Sequence, residues 1–215
     1  IVGNAAVAAN AYLSLAGSDH YQVTAFTVDR QYVTDDTLFG RPVVPFDEVE
    51  QRYPPPAHKM HIAVGYVRVN RLRAERYRQA KEMGYQLIND ISLQATLGPE
   101  VTLGDNCRVG TNTTVGPFVN IGNNVIIATG CIIGHNTVIK DHCFLASGVV
   151  IAGGTTIEPY CFLGANTTIR NRITVARACV IGAGAVILEN TEEKGVYLAP
   201  PAEKLPLTSD NLPLG

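Results

Sequence analysis

Two of the five histidines, His135 and His142, lie inside a stretch nearly stripped of charge. An imidazole there is suited to general-base work, because its ordinary pKa lets it take a proton from an attacking hydroxyl or amine near neutral pH. Eighteen residues after His135 comes the pair Gly153-Gly154, a bare backbone whose N–H groups could meet a developing negative charge. Arg170, Arg172 and Arg177 fall within eight positions and, with Lys194, are of the type that holds phosphate. Each alone reads as a solvated surface charge; the cluster is the suggestive feature. Five cysteines, Cys107, Cys131, Cys143, Cys161 and Cys179, are possible nucleophiles or metal ligands.

What these residues can do depends on what positions them, and here the chain is unusually legible. Every sixth residue from Ile91 through Leu97, Leu103 and Val109 to Ile187 is aliphatic, seventeen positions in succession. Glycine often follows, and two places earlier sit small or β-branched residues. A period of six fits neither a helix nor a long alternating strand. It is the mark of a hexapeptide β-helix, a prism of short strands and tight turns with the aliphatic pointing inward. Three hexapeptides make one coil, so residues eighteen apart stack, and Gly153 should lie over His135. The run gives a little over five coils, roughly 25 Å tall at ~4.8 Å per strand. His135, two residues past an inward aliphatic, falls in a turn and should project outward. All five cysteines share one phase, two before the aliphatic, so they read as buried fillers rather than metal or redox groups.

The first ninety residues differ. Ile1 to Asn4 should be a short strand entering a turn, Ala5–Ala16 a helix, and Tyr21–Asp29 a strand ending in an acidic residue. Pro42–Pro45 marks a third strand, Asp47–Tyr53 a short helix, Met60–Tyr66 a further strand, and Asn70–Met83 a helix ended by Gly84. Strands alternating with helices imply a small parallel sheet. Gly3 is followed by Ala5 and Ala8, so the dinucleotide fingerprint is absent. A helix start after Gly3 could still receive a phosphate or sugar, and Asp29 could accept from a ribose or base; both could equally be turn residues. The boundaries implied are 1–88 for an acceptor-binding α/β domain, 89–190 for the β-helix and 191–215 for a C-terminal extension.

Seventeen Lys and Arg against nineteen Asp and Glu give a net charge of −2, which leaves no basic surplus for a nucleic acid polymer. From Ile91 to Ile187 only 9 of 97 residues are charged, against 27 of the other 118. No apolar run approaches the ~20 residues of a membrane span, and no signal segment opens the chain. It starts at Ile1 without Met, so preceding residues are expected. An odd number of cysteines fits a reducing compartment, and the expected location is the cytoplasm.

Hexapeptide coils behind a small α/β domain resemble the bacterial sugar acyltransferases, including sialic-acid O-acetyltransferases and nucleotide-amino-sugar N-acetyltransferases. Val28-Asp29, the run Ile133-Gly134-His135-Asn136-Thr137-Val138-Ile139 and the closing Glu193 to Leu198 carry the resemblance. It implies a left-handed parallel β-helix preceded by a Rossmann-like domain, a homotrimer, and acetyl-CoA or another acyl-CoA as donor, lying between neighbouring prisms, with no metal. The acceptor implied is a nucleotide sugar or free sugar, foremost a nucleotide-linked 4-amino sugar of cell-surface polysaccharide biosynthesis.

The same resemblance assigns roles. His135 matches the general base and Gly153 the oxyanion donor, with Asn136 where the family often has an acidic residue. His142, Phe144, Gly164, Ala165, Gly182 and Ala183 fall at donor-binding positions; Phe144 replaces a second histidine of some members. Gly3, Asn4, Asp29, Arg30, Gly65 and Tyr66 would hold the acceptor, the last two in a segment (VGYVRVNRLR) typical of one subset. The sequence leaves N- against O-acylation open. Two other classes are weaker. A zinc hydratase of the related carbonic-anhydrase type needs three histidine ligands, and an ice-binding or scaffold β-helix would show an outward Thr ladder and no front domain.

Overall fold

The computed structural model describes residues 1–17, 20–206 and 208, so the expected extension 191–215 lies partly outside the described residues. Residues 90–187 form a prism of seventeen two-residue strands, β6 (Asp90–Ile91) to β22 (Val186–Ile187), one every six residues. The period arises in the turns. Fifteen consecutive turns, from Glu100 to Gly184, put their second residue in the left-handed region, with φ between 54° and 73°. Asn or Gly occupies nine of them, the residues that tolerate this conformation best.

Each strand pairs in parallel with the strand eighteen residues away, as Ile133 does with Ile151. Three faces result, and the coil is a left-handed parallel β-helix. The first face runs from β7 (Thr96–Leu97) to β22, the second from β8 (Thr102–Leu103) to β20 (Thr174–Val175), and the third from β6 to β21 (Val180–Ile181). A further strand, β23 (Val196–Tyr197), extends the third face after sixteen residues instead of eighteen. The inward aliphatics from Val109 to Ile187 are buried; Ile91, where no coil precedes it, remains exposed.

All five thiols are fully buried, and each donates to a carbonyl on the following coil, as Cys131 Sγ does to Ala146 O at 3.2 Å. Burial pushes the Cys107 and Cys131 thiols up to about 11, where they are poor nucleophiles. Thr113, Thr155 and Thr167 fill the same phase and make the same kind of bond. Buried valines such as Val119, Val125 and Val149 share the phase without a donor, so the phase requires a compact side chain and the thiol or hydroxyl adds a bond where it is present.

The front domain is built on parallel strand segments. Val2 bridges Thr27 on one side and Ile62 on the other. Next to β1 (Phe26–Val28) runs β3 (Arg41–Pro45) in parallel, and β2 (Thr37–Leu38) joins β3 as a hairpin. Phe39 and Gly40, both with positive φ, make its two-residue turn. A separate parallel pair is formed by β4 (Lys59–Met60) and β5 (Gln86–Leu87). The helices α1 (Ala6–Ala16), α2 (Val49–Arg52) and α3 (Arg71–Glu82) fall where composition places them. The two expected long strands are short. In the second, a β-helix side chain takes over from a neighbouring strand: Ile62 N donates to Asn106 Oδ1 at 2.7 Å, and Asn106 Nδ2 donates to Ile62 O.

Arg73 locks the two parts together. It is fully buried, and its guanidinium donates to the carbonyls of Gly65, Asn124, His142 and Cys143 and to Asn70 Oδ1. Burial lowers its pKa to about 10, and the fan of oxygens is what makes a buried cation tolerable. Asn70 in turn donates to Tyr160 O and Cys161 O. Three successive residues before α3, Arg68, Val69 and Asn70, have positive φ, a strained approach held by this clamp.

Candidate active site

The turn carrying His135 lies at the corner between the first and second faces, between β13 (Ile132–Ile133) and β14 (Val138–Ile139). One coil on, at the same corner, is Gly153. A Cβ on Gly153 would lie 2.7 Å from His135 Nε2 and 2.8 Å from Cε1. The imidazole therefore rests against a Cα that must carry no side chain. His135 Nδ1 is 2.9 Å from Asn136 Oδ1. An amide oxygen only accepts, so Nδ1 bears the proton and Nε2 presents its lone pair to the exposed side of the corner.

Gly153 and Gly154 divide their labour. Gly154, with φ 71°, donates its N–H to His135 O at 2.8 Å. Gly153 N–H has no acceptor among the described residues. The expected pair of bared N–H groups is thus a single one, sited beside the imidazole.

His142 stands at a different corner, between the second and third faces. There the side chains of Asn106, Asn124 and His142 form a ladder: Asn106 Nδ2 donates to Asn124 Oδ1, and Asn124 Nδ2 meets His142 Nδ1 at 2.9 Å. The ring packs between Tyr77 and Tyr160. Burial first, and then the charges of Arg73, Arg78 and Arg177, lower its pKa to about 4. A single chain therefore does not bring His142 to His135. No group of three or more His, Cys, Asp or Glu among the described residues is placed to hold a metal ion.

The expected donor residues spread further. Gly164, Ala165, Gly182 and Ala183 lie at the third corner, between the third and first faces. Gly164 has a local reason to be glycine, since a Cβ there would come within 2.5 Å of Ala183 N on the next coil. Phe144 is on the third face, buried and stacked on Phe162 with ring centroids 5.7 Å apart. Tyr66 packs on both rings, so a residue expected at the acceptor and one expected at the donor share one aromatic cluster. The basic run also disperses: Arg170 reaches Leu188 O, Arg172 sits next to Gly154, and Arg177 lies over the Tyr160 ring.

Of the residues expected to hold an acceptor, Gly3, Asn4, Asp29 and Arg30 follow the short strand segments at Val2 and Phe26–Val28, whose carboxyl ends are where open α/β sheets take their ligands. Gly3, with φ 123°, follows Val2, and a Cβ on it would meet Ala63 O at 2.7 Å. Asn4 Nδ2 donates to Tyr32 O. Gly65 approaches Val7 in the first turn of α1. Asp29 is already paired, at 2.6 Å with Arg76, and Arg30 with Asp47 and Glu48. The sequence did not reveal Arg76; a cation four residues ahead of a helical Ala gives no such sign, and only the tertiary fold, which brings α3 to the residue after β1, makes it Asp29's partner.

These features define a class: a hexapeptide-repeat β-helix with a front α/β domain. The bacterial transferase hexapeptide family (six repeats) matches residues 118–153 and 154–189, and the hexapeptide repeat of succinyl-transferase matches 100–135. Residues 100–189 of the β-helix thus match transferase hexapeptide repeats, and the whole fold is similar to that of solved sugar acetyltransferases. PerB from Caulobacter crescentus, solved with CoA and GDP-perosamine, is 25% identical, with 94% of each chain covered and a TM-score of 0.83. The acetyltransferase domain of PglB from Neisseria gonorrhoeae is 23% identical over 95% of this chain and 97% of that one, with a TM-score of 0.84. WeeI from Acinetobacter baumannii is 19% identical over the same shares, with a TM-score of 0.82. No curated protein sequence matches the chain.

Proposed function

We propose that the protein is an acyl-CoA-dependent sugar acyltransferase, with acetyl-CoA the foremost donor, acting on an amino group or hydroxyl of a nucleotide-linked sugar. The observation that carries this reading is the imidazole of His135 lying against the bare Cα of Gly153, with an unused N–H beside it. The resemblance to PerB, solved with CoA and GDP-perosamine, supports a nucleotide-linked 4-amino sugar as acceptor. Sialic-acid-type O-acetylation is the second reading.

In this reading His135 Nε2 takes the acceptor's proton as its nitrogen or oxygen bonds to the thioester carbonyl carbon. The Gly153 N–H holds the oxyanion of the tetrahedral intermediate. Collapse breaks the C–S bond, and the imidazolium returns its proton to the departing thiolate. Asn136 keeps Nδ1 protonated throughout. No cysteine joins the path, because all five are enclosed in the prism.

The site is completed by neighbouring copies. Within one chain His135 and the front domain occupy different corners. The outer side of the first face carries Thr96, Thr114, Ile132, Val150, Thr168 and Val186, without a charge, and Ile132 and Val186 are 53% and 59% exposed. Three prisms joined by this face around a threefold axis would bring the His135 corner of one beside Gly164, Ala165, Gly182, Ala183 and the front domain of the next. The division at 1–88 and 89–190 is then one between acceptor holding and transfer.

The test is turnover of acetyl-CoA against a panel of GDP-, UDP- and dTDP-linked 4-amino sugars and free sialic acids. Thiol release with one of them, lost in His135→Ala while the circular dichroism spectrum is kept, is the expected result. A His135→Ala variant that retains most of the wild-type rate would show that another group is the base.

A further inference from the structure

On the other side of the prism from the first face, α3 and the corner between the second and third faces enclose a half-open cavity of about 340 Å³. Arg71, Ala74 and Arg78 line it from α3, and Tyr160, Arg177, Ala178 and Lys194 from the β-helix. Four cations thus face one space. The lining contains no carboxylate. Arg71, Arg78 and Arg177 form no ion pair among the described residues, and Lys194 reaches only Glu193, loosely, at 3.6 Å. Asp141, on the coil below, has its carboxylate turned to the Asn123 backbone N–H. Like charges brought together without a counter-ion repel, and a cleft lined by one sign concentrates ions of the other.

The cavity is also held in shape. Arg177 lies 4.8 Å over the Tyr160 ring, and Lys194 N donates to Arg177 O at 2.8 Å, tying two successive coils together. Tyr160, Ala178 and Lys194 all have positive φ. At the corner between the third and first faces the corresponding residues, from Asn112 to Gly184, are all Asn or Gly. Tyr160 and Lys194 thus keep long side chains where the easier backbone choice would remove them, as Glu100, Phe118 and Arg172 do at the corner between the first and second faces.

We infer that this cavity is an anion-binding site for a phosphorylated small molecule, whose pyrophosphate or phosphomonoester group is held by Arg71, Arg78, Arg177 and Lys194. It lies away from the His135 corner and does not depend on the transfer reaction proposed above.

The experiment is calorimetric titration of the intact protein with sodium pyrophosphate at low ionic strength. Wild type should bind, and Arg78→Gln/Arg177→Gln should bind at least about tenfold more weakly, as expected when charge-assisted bonds are removed. Arg78→Lys/Arg177→Lys should recover most of the affinity, which separates lost charge from lost structure. Displacement of pyrophosphate by CoA but not by dephospho-CoA would assign the site to the donor's 3′-phosphate. Displacement by GDP would assign it to an acceptor nucleotide, and displacement by neither to a free phosphoanion. Wild type showing no binding, or the Gln and Lys variants binding alike, overturns the inference.

Discussion

The His135 imidazole lies directly on Gly153, eighteen residues and one coil away, so closely that a Cβ there would come within 3.0 Å of three ring atoms. In the proposed reading this contact makes base and oxyanion donor one unit, and the glycine would be as necessary as the histidine. Gly153→Ala should displace the ring without disturbing the prism, because φ at this position lies outside the left-handed region. The expected result is a fall in kcat of about 100-fold, within the range for general-base loss, with the thermal midpoint nearly unchanged. Steady-state thiol release on the best acceptor checks it.

Asn136 sets the tautomer of His135 but lends the imidazolium no charge. Asn136→Asp should raise the affinity of His135 for its proton, because a carboxylate stabilises the charged ring. The neutral base then exists only at higher pH, so the acid limb of the kcat/KM profile should move up by about 1 pH unit. Asp tolerates the left-handed backbone that Asn136 adopts at φ 55°. An unshifted acid limb would mean that another group governs it.

Arg73 fills five acceptors in a place with no water access. Arg73→Met would strand them, at a cost of at least about 3 kcal/mol, and should free the front domain from the prism. Limited proteolysis between α3 and β6 should accelerate, and the thermal midpoint should fall. Arg73→Lys should rescue little, since one ammonium cannot reach a fan of carbonyls.

His142 predicts a pH dependence of stability. Its folded pKa of about 4 lies below the unfolded value of 6.5, so on acidification the unfolded chain takes up the proton first. Stability is complete above about pH 6.5 and declines as pH falls toward about 4. The buried His61, whose pKa is also lowered chiefly by burial, adds with the same sign. His142→Asn extends the Asn106–Asn124 ladder and should flatten the decline. The thermal midpoint between pH 7 and pH 5 should drop by about 4 °C in wild type and by less in the variant.

The repeat was legible because it is one-dimensional. Each coil contacts only its neighbours, so a fixed period of six sets which residues point inward, where turns fall and which residues stack. That is enough to place His135 over Gly153 from sequence. The same logic assigned all five cysteines to the interior, and the structure adds their donor role toward carbonyls of the next coil. The Asn and Gly at the turns are likewise read directly, whereas His142 and Tyr160 at such turns show that side-chain contacts override backbone preference there.

Tertiary structure alone decided the rest, because docking of the front domain follows no period. Residues 65–73 carry a glycine, a tyrosine, an asparagine and an arginine whose spacing shows nothing of a guanidinium buried among carbonyls drawn from two coils. Asp29, readable from sequence as a ligand acceptor or as a turn residue, is paired with Arg76, and His142, a candidate donor contact, closes an asparagine ladder. Arg177 leaves the basic run and, with Lys194, joins Arg71 and Arg78 around one cavity. Local sequence specifies the conformation of each coil, but which corner of the prism is covered, and which charges meet there, depends on contacts between residues up to 91 positions apart.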